Sequence, residues 1–303
     1  MRLGGVLAIA ALFAAAGVTA QTDAPELATE QQRLVAAKRD AALAAAQGYV
    51  VPSTNAFDRV TDVDTPLQAK QELGGLSLLA NWDLGASTIT SVSAWRFWNW
   101  DPSNDRDFIG LPITTVSANP SQQTQYSQEL RIASNGKHTL DYVLGAFYFY
   151  QTIDTQGLQV QGPAASAFLL NPTSAGGRNP ATLNGLTARN TIGFKNTSAA
   201  LFGKLTWNVS DRFQIAPGLR LNYDKKKGDY VSVVTNGSGT ALTADQRGVL
   251  APQSYQPDFD NWNLSGDITA AYTVTSDIHA YATYARSYKS GGINLSGLPL
   301  DAS

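Results

Sequence analysis

Apolar and polar side chains alternate strictly along this chain in long segments closed by tight turns. In the clearest of them, Phe213, Ile215, Pro217, Leu219, Leu221 and Tyr223 alternate with Gln214, Ala216, Gly218, Arg220, Asn222 and Asp224. Successive side chains of a strand point to opposite faces, so such a segment has one apolar and one polar face. A wall between lipid and a wet lumen requires that kind of strand. The pattern predicts eight strands, over 73–83, 86–98, 123–133, 139–153, 191–209, 212–225, 260–274 and 277–289, each long enough to cross a bilayer obliquely. Their connections alternate in length: 83–85, 135–137, 210–212 and 275–277 are hairpin turns, whereas about 99–122, 154–190 and 226–259 are long. Outer-membrane barrels have short periplasmic turns and longer outer loops. The expected fold is therefore all-β: a transmembrane antiparallel β-barrel fragment of about eight long strands, with an N-terminal helical segment.

The alternation also assigns faces. Ala199, Leu201, Gly203, Leu205, Trp207 and Val209 are expected toward lipid, with Lys204, Thr206 and Asn208 inward and with Trp207 and Tyr223 as girdle residues near opposite strand ends. Tyr126, Gln128, Leu130 and Ile132 oppose Gln125, Ser127, Glu129 and Arg131, which makes Glu129 and Arg131, together with Arg220, lumen-facing charges. Segments 89–100 and 142–150 carry apolar residues on both faces, predicting bulky packing on the lumen side.

Composition supports this picture. Charged residues make up 15% of the 303 residues, against roughly 25% in ordinary soluble domains. Polar uncharged residues take their place, together with 12 Tyr, 11 Phe and 6 Trp, a mixture that suits a polar lumen and aromatic girdles. A net charge of -2 offers no footprint for nucleic acid, and the absence of cysteine excludes disulfides and thiolate chemistry.

Residues 1–20 read as a secretory signal, with Arg2 as the basic start, an apolar run from Leu7 to Val18, and small residues before Gln21. Residues 21–59 form an Ala-rich helical segment and linker, in which a helix over about 26–47 is ended by Gly48 and Pro52. The strand region then occupies 60–303.

No catalytic residues, cofactor or metal ligands are expected. Asp101, Asn104, Asp105, Arg106 and Asp107 form an acidic cluster, but it lacks the central Gly and terminal Glu of an EF-hand loop. His138 and His279 lie in separate strands, and a nucleophile would need a base held beside it. Lys225, Lys226 and Lys227 form a charge run placed just past a strand end, suited to lipid headgroup contact or plain solvation.

Five stretches in order, namely Ser91–Asp107, Gln125–Ser134, Leu140–Phe149, Ile215–Arg220 and Tyr281–Gly292, resemble TonB-dependent outer-membrane receptors, especially the sphingomonad-type group. The resemblance covers about 60–295. It implies a location in the cell outer membrane, import of a siderophore, vitamin or carbohydrate, and energy from the TonB system where a plug domain is supplied elsewhere. Outer-membrane lipid and a small-molecule substrate such as a siderophore or sugar are the implied partners. Trp98, Trp100, Asn104, Arg106 and Asp107 would then belong to the outer vestibule. The stretch before the strands is too short for the family's plug, so an early-to-middle slice of a wide barrel is expected. A small self-closing porin-like barrel and a non-functional truncated product are the alternative readings.

Overall fold

A computed structural model describes residues 41–50, 52, 53 and 55–298. The signal-like segment and most of the 26–47 helix lie outside the described residues; 41–46 are helical. Gly48, at φ 75°, ends this helix as expected. The amides of Gly48 and Tyr49 bond back to Ala45 O at 2.9 Å and Ala44 O at 3.0 Å, the paired bonds of a glycine C-cap.

Ten antiparallel strands make one sheet: β1 (Gln68–Asp83), β2 (Ser87–Ser103), β3 (Thr114–Ala118), β4 (Ser121–Ser134), β5 (Leu140–Gln161), β6 (Thr187–Asn208), β7 (Phe213–Thr235), β8 (Gln253–Tyr255), β9 (Asp258–Thr275) and β10 (Ile278–Arg286). β4 lies between β2 and β5, with β3 continuing its place beyond Ser121, while β8 extends the pairing of β7 beyond β9.

The sheet is open, which corrects the expected transmembrane β-barrel. Among the described residues β1 pairs only with β2 and β10 only with β9, so the path ends at two edges. Alternation specifies which side chains share a face, but closure also needs a strand to join each edge. The premise of a self-closing porin is lost with it. The long connections are also shorter than expected: β5 and β7 continue to Gln161 and Thr235, and β6 starts at Thr187.

Register places the apolar members of successive strands in continuous rows. Tyr126, Leu130, Leu144, Tyr148, Leu201, Leu205, Trp207, Leu219, Leu221, Trp262, Leu264, Ile268 and Tyr272 share one face, and all are exposed, Leu201 at 63% and Trp262 at 62%. An exposed apolar area of this extent marks an interaction face. The polar exceptions within it satisfy one another: Ser93 Oγ donates to Gln128 Oε1 at 2.5 Å, and Gln128 Nε2 donates to Ser91 Oγ at 2.9 Å. Buried polar groups need such partners when water is withdrawn.

Hydrogen bonds join the short turns to one another. Asn135 Nδ2 donates to Asp83 Oδ1 at 3.1 Å and Gly85 O at 2.9 Å, while its Oδ1 accepts from Thr88 Oγ1 at 2.7 Å. One side chain therefore ties the β4–β5 turn to the β1–β2 hairpin. Asn135→Ala should lower stability by about 1 kcal/mol, read as a lower urea midpoint; an unchanged midpoint would show that water replaces these bonds without cost.

At the opposite end, segments 104–113, 162–186 and 236–252 fold into a cap with its own core. Ile113, Ala164, Ala165, Leu183, Leu186, Ala188 and Val234 are buried there, with Phe168, Leu170, Leu242, Val249 and Leu250 packed against them. Thr243 and Gln246 form a capping box on the short helix Ala244–Val249, and Gln246 Nε2 also donates to Thr182 O at 2.8 Å, so this helix is bonded across the cap.

Candidate functional site

Glu129, Arg131 and Arg220 share the polar face of the sheet. Arg131 and Arg220 lie in one cross-strand row, Thr90–Arg131–Gly145–Phe202–Arg220–Ser265, and Glu129 lies in the neighbouring row with Phe147 and Asn222. Arg131 pairs with Glu129 at 3.3 Å. The guanidinium of Arg220 stands 5.7 Å from the Phe147 ring centroid and 5.4 Å from that of Phe202, and its Nε donates to Asn222 Oδ1 at 2.7 Å. Cation–π contacts on two rings fix the head of a long side chain.

Gly145 makes this possible: a Cβ there would stand 2.4 Å from Phe202 Cζ, so the ring occupies the place of the missing side chain. Apolar residues on both faces of 142–150 thus have a specific use, since Phe147 supports Arg220. Lys204 bonds Asp267 at 2.7 Å across Gly218, bringing together residues of β6 and β9 that no sequence spacing relates.

The five vestibule candidates do not converge as one set. Trp98 and Trp100 stack at 5.5 Å with 16° between their planes, and Trp98 Nε1 donates to Gln71 Oε1 at 3.2 Å. Trp100, Asn104 and Arg106 line a groove of about 760 Å³, together with Leu67, Gln68 and Phe108, which sequence reasoning missed. Trp98 lies outside that groove, and Asp107 is drawn into a separate cluster of carboxylates.

In that cluster, oxygens of Asp64, Asp105 and Asp107 lie within 4.8 Å of one another, the arrangement among the described residues with metal-ligand spacing. Asp105 is fully buried, and its oxygens are committed to the backbone. Oδ1 accepts from Asp107 N at 3.1 Å and Phe108 N at 2.8 Å, and Oδ2 from Asp64 N at 3.2 Å. These bonds hold Phe108 at φ 59°, a left-handed conformation costly for a bulky residue. Asp107 Oδ2 accepts from Thr114 N at 2.8 Å, whereas its Oδ1 is buried without a partner.

Burial pushes the Asp107 carboxyl up to about 6; the Thr114 amide opposes this, and the Asp105 and Asp64 charges add to it. Burial likewise raises Asp64, with Asp105 adding to it. Because the folded-state value for Asp107 lies above the unfolded one, the folded state binds the proton more tightly, and stability falls as pH rises from about 4 through about 6. The urea midpoint of the cap should drop across that window, and Asp107→Asn should flatten the slope. A midpoint that rises instead would contradict this assignment.

Comparisons with known proteins agree with the strand pattern. The pesticin receptor of Yersinia pestis is 27% identical over 207 residues, a match covering 67% of this chain and 24% of that receptor. The ferric yersiniabactin uptake receptor FyuA from Yersinia pestis superposes with a TM-score of 0.55 at 19% identity, covering 72% of this chain and 28% of the receptor. The ferric-catecholate import receptor Fiu from E. coli K12, in its open form, gives 0.50 at 14% identity, over 78% and 38%. At these identities the structural likeness speaks for the fold. The chain spans about a quarter of the length of the curated relatives it matches. The family model described as TonB dependent receptor-like, beta-barrel matches residues 27–299. The chain belongs to this family of receptors, whose intact members are transport proteins and not enzymes.

Proposed function

We propose that this chain contributes a membrane-facing sheet and the outer cap of an outer-membrane receptor that imports a ferric siderophore. The observation that carries this reading is the groove at the cap margin, where Trp100 and Phe108 supply aromatic surface beside Asn104 and the exposed cation Arg106. A ferric siderophore combines aromatic or apolar parts with anionic metal-binding oxygens, which suits such a lining. The names of FyuA and Fiu supply the substrate class, and the exposed apolar face suits outer-membrane lipid. In the working receptor, partner strands meet the unpaired groups of β1 and β10, which are costly in lipid. Energy comes from the TonB system through a plug domain. Glu129, Arg131 and Arg220 face the transport path, where the Glu129–Arg131 pair and the contacts of Arg220 with Phe147, Phe202 and Asn222 keep the charges ordered.

Titrating the purified full chain in neutral detergent with a ferric catecholate siderophore, and with its iron-free form as control, tests this. Saturable quenching of tryptophan fluorescence is expected, reduced in Trp100→Phe, and Arg106→Gln should weaken binding about tenfold through loss of a charge-assisted contact. Quenching that does not saturate, or that is identical in both variants, would overturn the siderophore assignment.

A further inference from the structure

The lysine run Lys225–Lys227 is not past a strand end, since β7 continues to Thr235. Strand alternation therefore divides it. Lys225 and Lys227 turn to the face that carries the apolar rows, where Lys227 stands opposite Lys195 of β6, and Lys226 turns to the polar face. There it lies 5.6 Å from the Phe259 ring centroid and donates to Gly291 O at 2.7 Å and to Ser290 Oγ.

These contacts anchor a segment that lies on the sheet without joining it. After β10, residues 287–298 belong to no helix or strand, yet Gly291, Ile293, Leu295 and Gly297 are half-buried whereas Gly292, Asn294, Ser296 and Leu298 are exposed. An extended backbone with alternate residues turned down gives that pattern. Side chains of β8 hold its main chain. Gln253 Nε2 donates to Leu298 O at 2.8 Å while Gln253 Oε1 accepts from Leu298 N at 2.9 Å, and Tyr255 Oη accepts from Gly297 N at 3.2 Å. Gly228 and Gly291 permit the close approach: a Cβ on Gly228 would meet Leu295 Cδ2 at 2.6 Å and Ile293 Cδ1 at 2.8 Å, and one on Gly291 would meet the Phe259 ring at 2.7 Å.

Leu295–Gly297 form one wall of a pocket of about 430 Å³, faced by Asn190, Tyr230 and Ser232 of the polar face. Arg106, Ser117 and Asn119 line this pocket and also the groove at the cap margin, so the two cavities adjoin. A strand in a ladder leaves only by breaking a row of main-chain bonds, whereas a segment held by a few side chains opens locally. Lys226 also has a second partner within reach. Asn196, its cross-strand neighbour on the same face, has a buried Oδ1 without a donor, and a Lys226 released from Gly291 can supply one, which offsets part of the cost of opening.

We propose that residues 287–298 are a strap that seals the pocket behind the groove, and that lifting it opens a wet path from Arg106 along the polar face. This inference rests on the siderophore reading and adds to it a device that controls where a ligand goes from the groove.

The chain has no cysteine, so a thiol placed at Ser232 reports access to the pocket. The full chain carrying Ser232→Cys is labelled in neutral detergent with a small cationic methanethiosulfonate. Lys226→Met and Ile293→Ser loosen the strap at residues outside the pocket lining, so faster labelling comes from movement of the strap and not from a gap in the wall. Each should speed labelling about tenfold, the factor by which losing one or two such contacts shifts a local opening equilibrium. Lys227→Met, on the other face, should label at the parent rate, and hydrogen exchange in β5, β6 and β7 should stay slow in all three. Equal rates in Lys226→Met, Ile293→Ser and the parent, or faster labelling that comes with loss of protection in the sheet, would overturn the strap. Ferric catecholate siderophore should slow labelling in the loosened variants, and its iron-free form should not. Faster labelling without that protection supports the strap and defeats the siderophore reading beneath it.

Discussion

Leu183→Ala is expected to unfold the cap while leaving the sheet paired. Leu183 is fully buried beside Leu186, and three chain segments separated in sequence meet on that cluster. Truncating a buried leucine removes its transfer free energy and leaves a cavity, together about 3–5 kcal/mol. The cap has few other apolar contacts with which to offset such a loss. Hydrogen exchange should show 104–113, 162–186 and 236–252 losing protection together, with the central strands β5, β6 and β7 still protected. Siderophore quenching should fall with it, because Asn104 and Arg106 enter the groove from the first of these segments. Exchange confined to 162–186 would show that the three segments do not form one cooperative unit.

Asp105→Ala should have the next largest effect. The buried carboxylate accepts from the amides of Asp64, Asp107 and Phe108, and alanine leaves three donors without it. Losing acceptors in a buried site costs about 1–3 kcal/mol for each group that water cannot reach, so a total near 3 kcal/mol is expected. Release of Phe108 from its left-handed conformation offsets part of this and moves its ring out of the groove wall. Asp105→Asn separates these contributions. Its amide oxygen can still accept from Asp107 and Phe108, but its nitrogen cannot accept from Asp64, so it should recover the Phe108 turn and about half the stability. Binding that survives in Asp105→Ala would show that Phe108 does not shape the groove.

The legibility of the fold followed the physics of each element. The long strands could be located because a period of two is a local property that survives without a partner, and the faces of Leu201, Lys204 and Arg220 followed from it. Strand ends were harder to locate. Toward the cap, Gln156, Gln159 and Lys225–Lys227 no longer alternate apolar with polar, but the backbone ladder of β5, β6 and β7 continues through them. Hydrogen bonding of the main chain does not depend on the side-chain pattern, so the pattern stopped before the strands did. The cap core was hidden for a related reason. Leu183 and Leu186 lie in a segment rich in Gly, Asn and Pro, and nothing local shows that Ile113 and Val234 will come to meet them.

Of the candidate site, Trp100, Asn104 and Arg106 could be picked out as polar and aromatic residues in a loop beside a strand end, but their grouping with Leu67 and Phe108 could not. Asp107 was chosen with them because it is near in sequence, yet Thr114 and the burial of its carboxyl draw it elsewhere. Asp64 and Asp105 stand 41 positions apart, and only the folded loop joins them.

A two-faced β-architecture could be read from residue order alone, because alternation is encoded residue by residue. The open edges, the cap, the Arg220–Phe202–Gly145 stack and the Lys195–Lys227 opposition emerged from the folded chain. The stack and the lysine opposition depend on register between strands distant in sequence, where a shift of a single residue would move every side chain to the other face, and the cap depends on apolar residues of separate loops that meet only in the fold.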